Sequence, residues 1–406
     1  MPSKGTWRMR WQWAGLGILV VLFALAALFF GAFPRLLAWK MHESPGGRGP
    51  APALSAQAQA LHSKLLVVDL HGVTLLWPRD LLARATTGHV DLARLTDGNV
   101  ALQVFAVATR LHWPGPQDGA EGFDLLTPLA ISQGWPMRTW NDPGARALYQ
   151  AERLRHVLRG AGSRVIGIRT KADMDRLLLA RAQARENGLP APVGAMLALR
   201  DSGALAGGPR QIRLLFDAGF RIAVPPIKAK LPTTASASGG ASGPDGLLVR
   251  AARAWLEPMA ELGMAVDVHR MSPDALAAVL AATHRPVVAT KAGLRGVCDR
   301  PGNLDDGQAR GIAATGGLIA IAFTPDAVCE PTLEAVVRSI RYAVDLVGVD
   351  HVALGSNFDG GLATPIDAAG LAQLTQALMT AGLSEDDIAR IAGANAWHFL
   401  RNLLPD

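Results

Sequence analysis

Short apolar runs recur along most of the chain, and polar or small residues interrupt or end them. The first run, Val67–Val73, is apolar except for Asp69, His71 and Gly72. A nearly continuous apolar run of this length is typical of a buried parallel strand. Because the C-terminal ends of such strands open into the sites of barrel proteins, we expect His71 to lie at the mouth of a site.

Seven further runs of the same kind follow at intervals that leave room for helices. They are Asn99–Val107, Val193–Leu199, Ile222–Pro226, Met264–His269, Pro286–Thr290, Leu318–Phe323 and His351–Phe358. Helical spacing occurs in Ala145–Leu158, Ser272–Ala282 and Leu333–Val347, and a last helix is predicted from Ser384 to about Asn402. Eight strands alternating with helices predict an α/β fold, a closed (β/α)8 barrel of the TIM type.

Two long segments between these elements show no clear period. Leu111–Pro143 is rich in Trp, Pro and Gly, and is predicted to be a long loop over one face of the barrel. Thr233–Gly246 is rich in Ser, Gly and Ala, and is predicted to be a mobile loop after the fourth strand.

The N-terminal part of the chain carries a different pattern. Ala14–Phe33 is a run of 20 residues without a charge, long enough as a helix to cross roughly 30 Å of hydrocarbon. Trp residues flank the run, and basic residues are more frequent before it than after it, which favours a cytoplasmic N-terminus. A cleaved signal peptide is the alternative, although the run is longer than usual and no small-x-small cleavage site follows.

These patterns predict three parts: a single-pass membrane anchor over residues 1–40, a flexible tether over 41–60, and a barrel over 61–406 outside the cytoplasm. The net charge of +6 arises mostly from the anchor, which has five basic and no acidic residues. The body is therefore close to neutral, which argues against nucleic-acid binding. The sequence leaves a homo-oligomer open.

The chain has two cysteines, Cys298 and Cys329. An even number of cysteines in an exported protein permits one disulfide. Two buried free thiols are the alternative, and the spacing alone does not decide between them.

Four stretches, in a consistent order, resemble one known family. They are Gly88–Leu95 with Gln103 and Phe105, Cys298–Asp306, Val347–Gly360 and Gly393–Asn395. Together they are similar to segments of the membrane (renal) dipeptidases, zinc peptidases on a (β/α)8 barrel, over about residues 62–406. The resemblance implies the barrel fold, and it implies a disulfide between Cys298 and Cys329.

The resemblance also implies two zinc ions, bridged by a Glu and bound by a His-x-Asp pair and later His residues. His71 matches the first ligand and is the only clear metal ligand retained. The Asp expected two residues later is Val73, the bridging Glu falls on Arg200, and the fourth-strand His falls near Ile227.

The remaining site positions are also replaced. The fifth-strand His falls on Arg270, although a shift of one residue would bring His269 to this position. A further His falls on Lys291, and the catalytic Asp falls on Asn357. The substrate-binding Arg falls on Gly302, with Arg300 two residues away.

These replacements predict that the zinc chemistry is lost. Protonated Arg and Lys repel a zinc ion and offer it no lone pair, and an Asn amide does not act as a general base. No zinc or other cofactor is therefore expected. The surviving acids Asp69, Asp267 and Asp359 are predicted to pair with the new cations. The candidate ligand-binding residues are Arg200, Arg270, Lys291, Asn357, Asp359 and His269.

Three hypotheses for function remain, and whether the protein is an enzyme is open among them. The first is a dipeptidase homologue without zinc-dependent activity that binds an anionic small molecule or a partner at the barrel mouth. The second is an active hydrolase, with one metal on His71, His269 and Asp359 or with another mechanism. The third is a purely structural envelope protein.

Overall fold

The computed structural model describes residues 4–41, 53–113, 123–227 and 246–406. The loop predicted at Thr233–Gly246 lies outside these residues except for Gly246. Eight strands, here numbered along the chain, form a parallel barrel. They are β1 Val67–Gly72, β2 Val100–Val107, β3 Val193–Leu199, β4 Phe220–Ala223, β5 Ala265–Val266, β6 Val288–Ala292, β7 Leu318–Ile321 and β8 Val352–Leu354.

The order of the strands confirms the predicted barrel. Hydrogen-bonded neighbours run β5-β4-β3-β2-β1-β8-β7-β6, all in parallel pairs. A parallel bridge between Asp267 and Val288, with the amide of Val268 donating to the carbonyl of Val288 at 2.8 Å, joins β5 to β6 and closes the ring. A short strand, Val165–Gly167, pairs with β3 at one side, and His112–Trp113 pairs antiparallel with Phe123–Asp124.

Helices follow most of the strands and cover the outside of the barrel. The α-helices of the body are Ala56–Lys64, Leu92–Asp97, Leu126–Ser132, Pro143–Ala161, Lys171–Glu186, Arg210–Ala218, Leu247–Leu262, Pro273–Ala282, Asp306–Ala314, Pro325–Val328, Leu333–Val347, Leu371–Thr380, Glu385–Ala389 and Asn395–Leu403. Many begin at side-chain caps: the hydroxyls of Ser272 and Thr332, for example, accept the first free amides of their helices.

The structure departs from the sequence-based expectations in three segments. The region predicted as a long loop, Leu111–Pro143, contains the helix Leu126–Ser132, whose Leu126 and Leu129 are buried. The predicted tether ends early, because Ser55 caps the helix Ala56–Lys64. The last helix begins at the predicted cap Ser384, but it is interrupted at Gly393. A Cβ on Gly393 would lie 1.8 Å from the carbonyl oxygen of Leu66 next to β1, so only glycine allows this approach.

The apolar core has two layers, separated by the strands. One cluster takes residues from all eight strands, such as Leu102 and Val104 of β2, and therefore fills the barrel. The other takes alternate residues, such as Phe105 and Val107, together with the surrounding helices. This alternation follows from the period of two in a strand. It leaves the polar residues at the C-terminal ends of the strands to form the mouth.

The N-terminal segment is helical from Lys4 to Met41, with a π-helical turn at Leu28–Ala32. Leu16–Trp39 is long and apolar enough to cross a membrane, with a mean hydropathy of 2.8. That it does so, and in which direction, stays a prediction. The end of this segment contacts the body: Ala38 is buried in an apolar cluster that includes Trp77 and Leu126.

Candidate functional site

The polar residues of the mouth lie at or just beyond the ends of neighbouring strands. His71 lies on β1, Thr290 and Lys291 lie on β6, and Arg200 directly follows β3. Asp267, His269 and Arg270 follow β5, and Asn357 follows β8. Strand ends at this face of a barrel are the usual place of a site, because side chains from several strands converge there.

Asp267 is the centre of a buried hydrogen-bond network. Its carboxylate accepts from the amides of His269 and Thr290 at 3.0 and 3.1 Å, from the hydroxyl of Thr290 at 2.5 Å, and from Nδ1 of His269 at 2.8 Å. Burial alone would raise the pKa of Asp267, but the charge of His269 and these hydrogen bonds lower it below its ordinary value. Asp267 is therefore an ionised group that orients His269.

The same network fixes the tautomer of His71. Nδ1 of His71 lies 2.8 Å from the Thr290 hydroxyl, whose single hydrogen is directed at Asp267. The hydroxyl must therefore accept from Nδ1–H of His71. Burial, together with the charges of His269, Lys291 and Arg200, lowers the pKa of His71 well below its ordinary value. His71 is neutral, and its buried Nε2 keeps a lone pair without a hydrogen-bond partner in the described residues.

Lys291 and Arg270 converge on one carboxylate. Nη1 of Arg270 lies 3.3 Å, and Nζ of Lys291 3.7 Å, from Oδ2 of Asp326. Burial would raise the pKa of Asp326, but Lys291, a hydrogen bond from Thr324 and Arg270 lower it. Burial is also the main reason that the pKa of Lys291 falls to about 8, while Asp326 raises it and Arg200 and Arg270 lower it.

Arg200 extends this group of cations. Arg200 is a half-buried residue, and its guanidinium has no hydrogen bond or ion pair within the described parts of the chain. Burial lowers its pKa, the neighbouring carboxylates of Asp201 and Asp326 raise it, and the charge of Arg270 lowers it. The three cations Arg200, Arg270 and Lys291, which we call the cation cluster, therefore repel one another.

Two cavities flank Arg270 at the mouth. The first, of about 400 Å³, is lined by Lys291, Arg300, Asn303 and Asp326 among others. The second, of about 570 Å³, is lined by Arg110, Arg200, Asp201, Trp255 and His269 among others. Both volumes are within the range of small-molecule sites. We call them the lysine cavity and the tryptophan cavity.

The predicted pairing of the surviving acids with the cation cluster is wrong. Asp69 instead accepts from Nε2 of Gln103 at 2.8 Å and from the Ser356 hydroxyl at 2.7 Å, and burial raises its pKa to about 6 despite these bonds. Asp359 is paired with Arg79 at 2.5 Å and accepts from the amide of His89 at 2.7 Å. Asp69 and Asp359 therefore form their hydrogen bonds and ion pair with other residues, and not with Arg200, Arg270 or Lys291.

The carboxylate that Arg270 and Lys291 share, Asp326, was not among the residues predicted from the sequence. A signal was present, because Thr324, Pro325 and Asp326 directly follow the predicted seventh strand, at the same face as Lys291. The candidate residues were chosen at positions that match the family's site residues, and Asp326 does not match one.

The disulfide predicted from the resemblance is confirmed. Cys298 and Cys329 are bonded, with their Cα atoms 5.4 Å apart. Nδ2 of Asn303 donates to the carbonyls of Cys298 and Ala327 at 2.8 and 3.0 Å. The disulfide and this amide join the two walls of the lysine cavity, one with Arg300 and the other with Asp326.

The family model for membrane dipeptidase (peptidase family M19) matches residues 55–403. The chain belongs to the membrane dipeptidase family. A curated relative, the uncharacterized protein in the pqqA 5' region of Klebsiella pneumoniae, is 32% identical over 35% of this chain and 56% of its own length. Dipeptidase verJ of Clonostachys rogersoniana is 28% identical over 54% of this chain and 58% of its own length. The chain thus matches little more than half of either relative.

Solved structures show the same barrel. The probable dipeptidase PvdM from Pseudomonas aeruginosa superposes with a TM-score of 0.64 at 20% identity, over 86% of this chain and 97% of that one. A metallo peptidase from Rhodobacter sphaeroides, liganded with a phosphinate mimic of the dipeptide L-Ala-D-Ala, has a TM-score of 0.61 at 23% identity, over 84% and 99%. At these identities the likeness supports the fold alone.

The zinc ions implied by the membrane dipeptidase family do not fit the donors of this chain. The rings of His71 and His269 are close, with centroids 5.2 Å apart, but zinc sites in proteins use at least three protein ligands. Within the described ranges, no group of three or more His, Cys, Asp or Glu side chains is placed to hold a metal ion. Asp359, the third ligand of the alternative single-metal site, is held by Arg79.

Val73 directly follows β1 and Asn357 follows β8, and both fall on site positions implied by the family resemblance. Val73 is buried with Leu76 and Trp77, so apolar packing fills the place of the second ligand. Asn357 is fully buried, and neither its Oδ1 nor its Nδ2 has a hydrogen-bond partner among the described residues. Unpaired buried amides are rare and costly, so Asn357 and Nε2 of His71 are polar groups that a bound molecule would satisfy.

Proposed function

We propose that this member of the membrane dipeptidase family binds an anionic small molecule at the barrel mouth and has no zinc-dependent dipeptidase activity. The observation that supports this proposal most directly is the cation cluster. Arg270 and Lys291 share one carboxylate, Asp326, and Arg200 adds a third positive charge close to them, between two cavities. An anion in either cavity would relieve their mutual repulsion.

The chemistry of the cluster favours oxygen anions. The planar guanidinium groups of Arg200 and Arg270 donate parallel hydrogen bonds that match a carboxylate or a phosphate. Arg200 is available for this, since no carboxylate binds it in the described residues. Arg110 and Arg300 add further positive charge to the walls of the two cavities.

The N-terminal helix supports a second part of the proposal, that the protein is anchored in a membrane with the barrel outside the cytoplasm. The helix has the required length and hydropathy, and the disulfide is typical of exported proteins. Because Ala38 packs near Trp77 and Leu126, the helix would hold the body close to the membrane surface.

Metal content and dipeptide hydrolysis of the full-length protein in detergent test the loss of zinc activity. We expect a zinc content well below one ion per chain. We also expect no chelator-sensitive hydrolysis of any dipeptide in a test panel. About two zinc ions per chain, with chelator-sensitive hydrolysis, would overturn the proposal and support an active dipeptidase instead.

Thermal unfolding tests the anion site. Oxalate, phosphate and sulfate, added at constant ionic strength, should raise the melting temperature more than chloride does. Arg270→Ala should abolish the rise, because Arg270 lines both cavities. Arg213→Ala is the matched control, because Arg213 is an exposed arginine paired with Asp217 on an outer helix. Equal responses of both variants would contradict an anion site at the mouth.

A further inference from the structure

We infer that Lys291 is a nucleophilic amine that forms an imine with an anionic carbonyl compound, such as a 2-oxo acid, bound in the lysine cavity. The inference rests on the proposed function, because it names the chemical class of the anion that binds at the barrel mouth. It goes further in assigning a covalent bond to one named side chain.

The position of Lys291 is the first argument. The residue lies at the C-terminal end of β6, and its side chain is 5% exposed and lines a cavity of about 400 Å³. Its Nζ is 3.7 Å from Asp326, too far for a hydrogen bond, and it makes no hydrogen bond within the described residues. A buried amine beside a cavity, without a hydrogen-bond acceptor to hold it, is available to a bound molecule.

The protonation of Lys291 is the second argument. Only a neutral amine has the electron pair that attacks a carbonyl carbon, and buried lysines near other cations serve this purpose in Schiff-base chemistry. Burial lowers the pKa of Lys291 to about 8, helped by Arg200 and Arg270 and opposed by Asp326. About a tenth of the side chains are then neutral at pH 7, against fewer than about one in a thousand for an ordinary lysine.

The other charges of the cavity select the ligand. Arg270 and Arg300 line the lysine cavity and can bind a carboxylate, which would bring an adjacent carbonyl carbon towards Nζ of Lys291. Asp326 has a lowered pKa and stays ionised. It can therefore stabilise the positive iminium as it stabilises the ammonium now, so the cavity keeps its charge balance when the adduct forms.

The reaction is a condensation that needs no further reactant. The nitrogen electron pair of the neutral amine forms a bond to the carbonyl carbon, and the π electrons move to the oxygen, which takes up a proton. The nitrogen then loses a proton, and the protonated hydroxyl leaves as water. In total, an ammonium and a carbonyl give an iminium and one water molecule, and nothing is oxidised or reduced.

Reductive trapping tests the inference. The full-length protein in detergent is incubated with pyruvate and cyanoborohydride, digested, and analysed by mass spectrometry. We expect saturable modification of Lys291, and much slower, unsaturable modification of Lys64, an exposed lysine on the first helix of the body. Oxalate, an anion of similar shape without a ketone, should compete and suppress the modification of Lys291. Lys291→Arg should abolish it while Lys64 still reacts.

The outcomes separate the inference from the proposed function. If oxalate stabilises the protein through Arg270 but pyruvate leaves Lys291 unmodified, the imine is overturned and the anion site stands. Labelling of Lys291 at the same rate as Lys64 also overturns the imine. If neither oxalate nor the carbonyl compounds act at the mouth, both proposals fail.

Discussion

Nδ1 of His71 lies 2.8 Å from the hydroxyl oxygen of Thr290. This contact connects His71, which the resemblance predicts to match a metal ligand, to Asp267, because the same hydroxyl donates to the Asp267 carboxylate at 2.5 Å. The chain thus orients a neutral imidazole at the mouth. The oriented Nε2 is now an acceptor for a bound molecule or a water.

Thr290→Val tests this connection. The change keeps the shape of the side chain but leaves Nδ1–H of His71 without an acceptor and removes one donor from Asp267. We expect a loss of about 1–3 kcal/mol in the free energy of unfolding, since buried polar groups lose their partners. Denaturant titration of the detergent-purified protein measures it. Thr290→Ser keeps the hydroxyl and should lose clearly less. A valine variant as stable as wild type would contradict the assigned hydrogen bonds.

Breaking the ion pair between Arg79 and Asp359 should lower the stability of the protein strongly. Both side chains are nearly inaccessible, at 9% and 0% exposure, so Arg79→Ala would remove a charged partner from a buried carboxylate. Removing one member of such a pair costs about 3–5 kcal/mol. Arg84→Ala breaks an exposed pair with Asp97 and should cost less than about 1 kcal/mol. Similar unfolding curves for the two variants would show that Asp359 is not held as described.

The barrel was predictable because its signal is local. Each strand is a short apolar run, and eight such runs alternating with helices favour a closed parallel barrel. The family motifs likewise placed Cys298 and Cys329 in neighbouring segments. The helix Leu126–Ser132 was missed because it has only 7 residues, too few to show a helical period, and because Trp, Pro and Gly residues surround it.

The partners within the site were not predictable in the same way. Asp69, Asp267 and Asp359 are each close in sequence to a strand end, but which donor reaches them depends on distances between strands. The pattern indicates which residues share the mouth, and not which of them pair. Asp326 was missed for a different reason, because it does not fall on a site position of the family.

Removal of the disulfide should destabilise the protein and loosen the lysine cavity. Cys298 and Cys329 are separated by 31 residues, and the loop they close contributes about 3–4 kcal/mol in the chain-entropy model. We expect a double Cys→Ser variant to lose stability of this order and to show a smaller oxalate effect, because the disulfide joins the walls that carry Arg300 and Asp326. An unchanged oxalate effect would limit the role of the disulfide to stability. Mass spectrometry of the non-reduced protein checks the bond itself.

The N-terminal helix predicts membrane association. Full-length protein should sediment with membranes and resist a high-salt wash, and a variant lacking residues 1–40 should be soluble, because the apolar Leu16–Trp39 is the candidate span. Sedimentation followed by immunoblotting measures both. Recovery of a mature chain without residues 1–40 from the native host would contradict an uncleaved anchor.

The titration of Lys291 predicts how stability depends on pH. Its pKa is about 8 in the folded protein, against 10.5 as the ordinary value of an unfolded chain. Between these values the unfolded chain holds a proton that the folded protein has lost, so stability rises with pH across this window. The size follows from the difference in pKa, about 3 kcal/mol in total. Below about pH 8 both states are protonated, and this contribution is constant.

Lys291→Met isolates the effect, because methionine fills a similar volume without a charge, and Asp326 keeps Arg270 and Thr324 as partners. We expect wild type to gain stability relative to this variant from pH 8 to pH 10.5, while Lys64→Met at an exposed position changes no slope. Denaturant titrations of the three proteins at each pH measure it. Parallel curves for wild type and Lys291→Met would show that Lys291 titrates as an ordinary lysine, and the argument for a neutral amine at pH 7 would fail with it.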